Sequence, residues 1–308
     1  MFAFDYFARR AKRIWQKFQP EPIPPAIGRV RCREITPDDH EAIIDLLTKG
    51  FWRLPREHWA RVMRVLATHH SPEGYPRYGY MLENDGTAVG VLLTIFTSRV
   101  IDNVTHIWCN ETSYYVEPPF RFYASLLVKR AHRFKEVTYL DLTPSSHRFT
   151  TLTAQGYKKI AQGVYIAFPW LCRTVPGVSI RRISSNQQLD CHEGNMLIEH
   201  AQFAKCLPVV CEHQGVIYPF IFVVRRRYGI PFAFLIYSGN EADFARFAGT
   251  LGRFMAKKGI PAILLDVNAA IAGVPGKLVS QYPKYWKGSN APRLGDLAYT
   301  EIPMFGVL

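Results

Sequence analysis

The sequence has 308 residues, of which 48% are hydrophobic and 20% charged, and it carries a formal net charge of +13. This composition argues against an intrinsically disordered or fibrous protein, and a length of this order predicts two domains. Because no run of about 18 apolar residues occurs in the sequence, we also expect no membrane-spanning helix. The surplus of positive charge attracts anions, such as nucleic acid, an anionic membrane or a polyphosphate cofactor.

Residues 1–27 form a unit of their own. Aromatic and basic residues are mixed through Met1 to Phe18, without the uninterrupted apolar stretch that a signal peptide needs. This pattern predicts a short basic amphipathic helix, which either packs on its own domain or lies on an anionic membrane. The prolines between Pro20 and Pro25 then predict a stiff, extended linker.

The six cysteines are not spaced as metal ligands. No CxxC pair occurs, and the adjacent Cys191-His192 lacks the further ligands that a metal site requires. We therefore expect no metal centre. Free thiols in a chain of this size are typical of a reducing compartment. The expected location is the cytoplasm, either free or peripheral to the inner face of the membrane.

Strand and helix patterns alternate after the linker. Residues 30–35 alternate apolar and polar, as in a half-buried strand, and Thr36-Pro37-Asp38 is typical of a helix start. Two helices are predicted next, near 43–47 and over 56–68. Asn84-Asp85-Gly86 predicts a tight turn between two strands of a hairpin, since these residue types accept positive φ angles.

The rest of this half predicts a strand–helix–strand unit. We expect a strand near 112–116, which Pro118-Pro119 ends, and then a helix over about 121–133. A buried strand near 137–142, a short helix and a last strand near 164–168 follow. A hairpin followed by such a unit predicts a mixed sheet, antiparallel first and parallel later.

The pattern restarts after Pro176-Gly177. Val178–Ser184 resembles Val30–Thr36, and the strand around Asp266 resembles the strand around Asp141. Such internal similarity predicts a duplication. The expected fold class is therefore α/β, with two related domains at 28–172 and 173–308 and a mixed sheet flanked by helices in each.

One segment of the first domain resembles a known family. It reads Val116-Glu117-Pro118-Pro119-Phe120-Arg121-Phe122-Tyr123-Ala124-Ser125-Leu126-Leu127, and Gly156-Tyr157 follows it. With the order of elements over 30–168, this segment resembles the GNAT (GCN5-related N-acetyltransferase) superfamily. The family's signature is a strand ending in V-x-P, then R-x-x-G-x-G or A, then a helix. The resemblance implies two tandem GNAT-like domains, of which the second is degenerate.

The resemblance also implies acetyl-CoA or another acyl-CoA as donor. Backbone N–H groups and the dipole at the helix start receive the pyrophosphate in this family. The donor-binding residues would then be Val116, Arg121, Phe122, Tyr123, Ala124 and Ser125. Leu126 stands where the signature has a small residue, and its larger side chain would narrow the phosphate seat.

The family's reaction needs a base for the amine, a backbone donor for the oxyanion and an acid for the leaving thiolate. The catalytic candidates that the resemblance implies here are Glu111, Glu117 and Tyr157. In many family members the acid is a Tyr four residues before the closing small–aromatic pair. Leu152 stands at that position and cannot donate a proton, so catalytic competence is open.

Three functions fit the sequence. The first is an acyl-CoA-dependent N-acyltransferase acting on the amine of a small molecule or sugar. The second is a tRNA-dependent aminoacyltransferase, which the positive charge and the weakened phosphate seat favour. The third is a non-catalytic protein at a membrane or polysaccharide assembly. Arg225-Arg226-Arg227 and Lys284–Lys287 are typical either of polyanion-binding stretches or, more commonly, of solvated loops. Glu241 and Asp243 would repel phosphate, so we expect the second domain to shape the acceptor site instead.

Overall fold

The computed structural model describes residues 28–101, 103–187, 189, 191–280 and 283–306. These residues form two seven-stranded sheets flanked by helices, each sheet combining antiparallel strands with a parallel pair. The predicted α/β class with two mixed sheets is confirmed. The predicted N-terminal helix and its proline linker lie outside the described residues.

The first half of the chain supplies most of the first sheet. Its strands are β1 (Val30–Glu34), β2 (Gly79–Asn84), β3 (Thr87–Ile101), β4 (Val104–Val116), β5 (Thr138–Asp141) and β6 (Lys158–Lys159). Its helices are α1 (His40–Gly50), α2 (Arg56–Thr68), α3 (Ala124–Ala131) and α4 (Phe149–Ala154). Helices α1 and α2 pack on one face of this sheet and α3 on the other, each through an apolar stripe.

The second sheet begins before the domain boundary predicted at residue 172. Its strands are β7 (Gly163–Ala167), β8 (Ser179–Arg182), β9 (Cys206–His213), β10 (Val216–Arg227), β11 (Ile230–Ser238), β12 (Ala262–Val267) and β13 (Gly276–Val279). Strand β14 (Tyr285–Lys287) follows, with helices α5 (Gly194–His200), α6 (Glu241–Ala256) and α7 (Glu301–Met304) in the second half. Helix α6 covers one face of the second sheet.

The two halves exchange a strand. The first sheet runs β1-β2-β3-β4-β5-β14-β6, so a strand from the second half lies between β5 and β6. Tyr285 pairs with Asp141 on one side and Lys159 on the other. In return, β7 pairs with both β12 and β13 of the second sheet. A boundary after residue 172 therefore assigns β7 to the first domain by sequence, although β7 lies in the second sheet.

One apolar cluster joins the two halves. Trp108 and Leu140 of the first sheet, Ile221 and Ile236 of the second, and Ile302 of α7 are all buried in it. Burying an aliphatic or aromatic side chain of this size contributes about 1.5–3 kcal/mol. The cluster and the exchanged strands thus hold the two sheets together.

The local predictions hold best at the hairpin. Strand β2 ends at Asn84 and β3 begins at Thr87, and both turn residues, Asp85 and Gly86, have positive φ (48° and 84°). The predicted hairpin is therefore confirmed. Strand β4, by contrast, starts at Val104, eight residues earlier than the predicted strand near 112–116.

The predicted helix over 121–133 has a different shape. The chain forms a 3-10 helix over Pro118–Tyr123 before α3 starts, and α3 ends at Ala131. Proline fixes φ near −65° and supplies no N–H, so the Pro118-Pro119 pair starts a tight helical turn directly after Glu117.

A membrane span is not present among the described residues: no helix there combines the necessary length with sufficient apolar character.

Candidate active site

A cleft opens where two parallel strands separate. Strands β4 and β5 pair from Trp108 and Thr138 to Glu111 and Asp141. Beyond these pairs β4 continues to Val116, whereas the chain after Asp141 leaves the sheet. The resulting cleft has a volume of about 510 Å³. It is lined by Phe51, Glu111, Thr112, Ser113, Tyr114, Tyr115, Val116, Arg121, Ala124, Asp141, Thr143, Pro144, Ser145 and Arg148.

A β-bulge lies in the strand that borders this cleft. The register between β3 and β4 shifts so that Val91 faces Tyr115 and Leu93 faces Thr112, which leaves two β4 residues opposite one. Ser113, inside the bulge, has a φ of 53°. A bulge interrupts the ladder and leaves backbone groups without a strand partner. The cleft wall therefore offers backbone hydrogen-bonding groups of β4 at its centre.

Glu111 lies at the inner end of the cleft in a buried network. Its Oε1 lies 3.0 Å from Nε2 of His132, and its Oε2 accepts a hydrogen bond from the Tyr157 hydroxyl. The same hydroxyl lies 3.0 Å from His132 Nε2. Burial raises the pKa of Glu111, but the hydrogen bonds and the His132 charge outweigh burial, so the net pKa lies below its ordinary value. Glu111 is therefore a fixed carboxylate.

Asp141, opposite Glu111, behaves differently. It is 3% exposed, and burial raises the pKa of its carboxyl to about 7 against the lowering effect of Arg148. Arg148 Nη1 lies 3.0 Å from Asp141 Oδ2 as an ion pair without hydrogen-bond geometry. The Arg148 guanidinium also lies over the Tyr114 ring, 5.1 Å from its centroid. Asp141 is thus a cleft-wall carboxyl that exchanges its proton near neutral pH.

A third carboxyl reaches the cleft from the second half of the chain. Glu301, the first residue of α7, accepts hydrogen bonds from the hydroxyls of Thr112 and Thr143 on the two cleft walls. Its backbone N–H donates to Asn110 Oδ1 at 2.7 Å. Glu301 is 2% exposed, and burial raises its pKa to about 7 although these hydrogen bonds lower it. Glu301 therefore links two cleft-lining threonines to the second half of the chain, although it does not line the cleft itself.

The second half contains a corresponding pair of separating strands. Strands β11 and β12 pair in parallel only from Phe232 to Phe234 on the β11 side. Beyond that point, Leu297 N–H donates to Ile236 O at 2.8 Å, and Ser238 N–H donates to Gly295 O at 3.0 Å. The chain itself thus occupies the edge of β11 that would line a second cleft.

The predicted donor-binding residues divide into two groups. Val116, Arg121 and Ala124 line the cleft. Phe122, Tyr123 and Ser125 are not among its lining residues: Phe122 is 95% exposed, Tyr123 packs partly buried in the α3 cluster, and Ser125 is exposed.

Leu126 is also outside the cleft lining, since its side chain is 38% exposed. The predicted narrowing of the phosphate seat by Leu126 therefore does not occur. Before the Arg121 segment, Pro118 and Pro119 have no N–H, and the Phe120 N–H donates to Glu117 O at 2.9 Å.

The three predicted catalytic residues are not all brought together. Glu111 and Tyr157 form the direct hydrogen bond described above. Glu117 lies apart from them, where its Oε1 accepts from Lys49 Nζ at 2.5 Å, and it does not line the cleft. Leu152 is buried, and its hydrocarbon side chain has no proton to donate.

Sequence reasoning missed Asp141, Arg148, His132 and Glu301 as site residues. The available signal was the position of Asp141 at the carboxyl end of a buried strand, where sites in open α/β sheets form. Glu301 gave no local signal, because its contacts with Asn110 and Thr112 span about 190 residues of chain.

The predicted polyanion-binding stretch near the C-terminus is partly wrong. Lys284 is only 3% exposed, and its Nζ donates to Asp266 Oδ1 at 2.7 Å. Tyr285 is buried as well, because β14 is inserted into the first sheet. Among the residues that the structure describes, no group of His, Cys, Asp and Glu side chains is arranged to hold a metal ion.

No protein-family model and no curated protein matches the sequence. Solved structures, however, share its fold. A GCN5-related N-acetyltransferase from Anabaena variabilis superposes with a TM-score of 0.59 at 9% identity, covering 84% of this chain and 72% of that one. A GCN5-related N-acetyltransferase from Kribbella flavida gives 0.57 at 14% identity, with coverages of 84% and 71%. Eis1 from Mycobacterium abscessus gives 0.52 at 12% identity, with coverages of 84% and 73%. The separating strands, the bulge in β4 and these superpositions together show that the chain has the fold of the GNAT superfamily.

Proposed function

We propose that this protein is an acyl-CoA-dependent N-acyltransferase that moves an acetyl or other acyl group to an amine. The observation that carries the proposal is the cleft between β4 and β5, which combines free strand edges, an arginine and ionisable carboxyls. Structures of the same fold are described as N-acetyltransferases, which supports this class of reaction. The acceptor amine belongs to a small molecule or a sugar.

The donor fits the cleft through its amides and its phosphates. An extended ligand that carries amide groups can hydrogen-bond to the free edge of β4, as an added strand does. At the outer end, Arg121 and the helical turn before Ala124 present positive charge to the pyrophosphate. Arg121 lines the cleft, and its guanidinium can bind the pyrophosphate through charge-assisted hydrogen bonds.

The chemistry is attack of the amine nitrogen on the thioester carbonyl carbon. Asp141 accepts the proton of the amine, since a pKa of about 7 leaves its carboxyl ready to exchange a proton at neutral pH. The unpaired backbone at the Ser113 bulge stabilises the oxyanion. The C–S bond then breaks, and Asp141 returns its proton to the leaving thiolate. Glu111, held by His132 and Tyr157, stays ionised and fixes the wall on which this occurs.

Two substitutions test the donor seat. Ala124→Asp places a negative charge in the cleft and should weaken coenzyme A binding at least about tenfold, because the new carboxylate repels the pyrophosphate. Ser125→Asp, on the exposed side of α3, should leave the affinity unchanged. Isothermal titration calorimetry with coenzyme A measures both. Equal affinities of the two variants for coenzyme A would refute a pyrophosphate site beside Ala124.

A second pair of variants tests the base. Asp141→Asn should lower the acyl-transfer rate by about 10²–10⁴-fold, the usual range for general acid–base catalysis, and leave coenzyme A affinity intact. Glu117→Gln serves as control, because Glu117 pairs with Lys49 outside the cleft. If Glu117→Gln lost the rate and Asp141→Asn kept it, the base would be Glu117.

An aminoacyl-tRNA donor is the second candidate. The net charge of +13 favours a polyanion such as tRNA. A tRNA affinity that falls steeply with salt, together with no binding of coenzyme A, would favour this function over the first.

A further inference from the structure

A cluster of cations lies where the two halves of the chain meet, away from the cleft lining. Arg61 of α2 donates from Nη2 to Phe305 O at 2.6 Å, and Lys205 Nζ donates to Gly306 O at 3.5 Å. Arg225, near the end of β10, faces the same turn. These three side chains come from separate parts of the chain and converge on the backbone of two consecutive residues.

Arg225 has unused hydrogen-bond donors at this point. Its Nε and Nη2 are shielded from water and have no hydrogen-bond partner. These two nitrogens form one edge of the guanidinium, the edge that binds an oxyanion through two parallel bonds. An unmade hydrogen bond of a charged buried donor is costly, so such a pair of donors calls for an acceptor.

Gly306 lies directly against this cluster. A Cβ built on Gly306 would lie in ordinary van der Waals contact with Lys205 Cδ at 3.5 Å and with the two Nη atoms of Arg225 at 3.6 Å. The Arg225 guanidinium and the Lys205 side chain therefore both face the turn at Gly306.

No Asp or Glu among the described residues balances these charges. Among the described residues, no Asp or Glu forms an ion pair with Arg61, Lys205 or Arg225. Burial is the main cause that lowers the pKa of both Lys205 and Arg225; repulsion from Arg61 lowers both further, and Cys206 opposes the shift at Arg225. His58, whose Nδ1 lies 3.3 Å from Arg61 Nη2, has a pKa lowered to about 4 by burial and by the same cations.

We propose that Arg61, Lys205 and Arg225 form a binding site for an oxyanion of the phosphate class, either free phosphate or the phosphate group of a ligand. Three cations with no described Asp or Glu partner are better suited to a ligand with two negative charges than to a ligand with a single carboxylate. The guanidinium edge of Arg225 provides the bidentate contact, and Lys205, which is exposed, provides the entrance from solvent. This site does not depend on the proposed acyl transfer.

Inorganic phosphate is the probe for the first test. We expect isothermal titration calorimetry of the full chain to show saturable binding of one phosphate, with a rise in the unfolding temperature beyond that given by chloride at equal ionic strength. Arg225→Gln should weaken this binding about tenfold or more, since it removes a charge-assisted bidentate contact. Arg226→Gln, an exposed neighbour on the same strand, should retain it.

The outcomes separate clearly. Phosphate binding that is absent in the wild type, or equal in Arg225→Gln and Arg226→Gln, overturns the site. If Arg225→Gln does not fold, Lys205→Gln replaces it, because Lys205 is at the surface, and unchanged phosphate affinity in that variant also counts against the proposal. Glycerol phosphate as a competitor then distinguishes the two sources. Competition supports a phosphate ester as ligand, and its absence supports the free ion. Coenzyme A binding measured on the same variants shows whether the cleft binds its donor independently of the phosphate site.

Discussion

Replacing Glu301 by glutamine should change how the stability of the protein depends on pH. Glu301 is buried behind two cleft-lining residues, Thr112 and Thr143, whose hydroxyls donate to its two oxygens. Glutamine has nearly the same shape, and its amide can accept from one threonine hydroxyl and donate to the other. The substitution therefore removes the ionisable group and leaves the packing in place.

The magnitude follows from the pKa. Burial raises the pKa of Glu301 from 4.5 to about 7, so the folded protein keeps this proton over a pH range in which the unfolded chain has lost it. The folded state binds more protons between these values, and the free energy of unfolding falls as pH rises through them. At about 1.4 kcal/mol per pKa unit, Glu301 weakens the folded state by about 3 kcal/mol above pH 7. Below about pH 4.5 it has no such effect.

Urea denaturation of wild type and Glu301→Gln at pH 5 and pH 8.5 measures this difference. We expect the variant to gain about 3 kcal/mol over the wild type at pH 8.5, and much less at pH 5. Glu73→Gln, at an exposed position, is the matched control and should show no such dependence. A Glu301→Gln effect of the same size at both pH values would show that the buried carboxyl is not protonated in the native protein.

Two other substitutions test the packing around the site and the second sheet. Tyr157→Phe should destabilise the protein by about 1–3 kcal/mol, because the buried Glu111 carboxylate loses a hydrogen bond. Tyr75→Phe, which removes an exposed hydrogen bond to Glu136, should cost less than about 1 kcal/mol. Equal losses of stability in thermal denaturation would contradict the buried network around Glu111. Gly252→Ala should destabilise the protein by about 1–3 kcal/mol, because the alanine Cβ would lie 2.2 Å from the backbone nitrogen of Trp170. This loss is expected although alanine favours a helix more than glycine does. A higher unfolding temperature of the variant would refute the close contact.

Local chemistry made part of the fold predictable. The hairpin at Asn84–Thr87 needed only turn residues with positive φ between two apolar runs. Helix α2 needed only the stripe of Trp59, Val62, Met63 and Leu66, all of which are buried. These elements depend on neighbours in sequence, so short patterns identified them.

Other features depend on residues far apart in the chain. The exchange of β7 and β14 and the insertion of Glu301 between Thr112 and Thr143 have no local pattern, because each requires a partner more than 90 residues away. Asp141 was visible as the end of a buried strand. Its burial beside Glu111 and Arg148 depends on tertiary packing, which a short sequence pattern does not show.

The interleaving of β7 and β14 has a consequence for how this polypeptide is made. A nascent chain that has emerged only as far as residue 172 lacks Tyr285–Lys287 and so exposes an unfinished edge at β5. Open strand edges invite pairing with other chains. Complete closure of the first sheet must wait until Tyr285–Lys287 has left the ribosome, so the two sheets are completed together rather than one after the other.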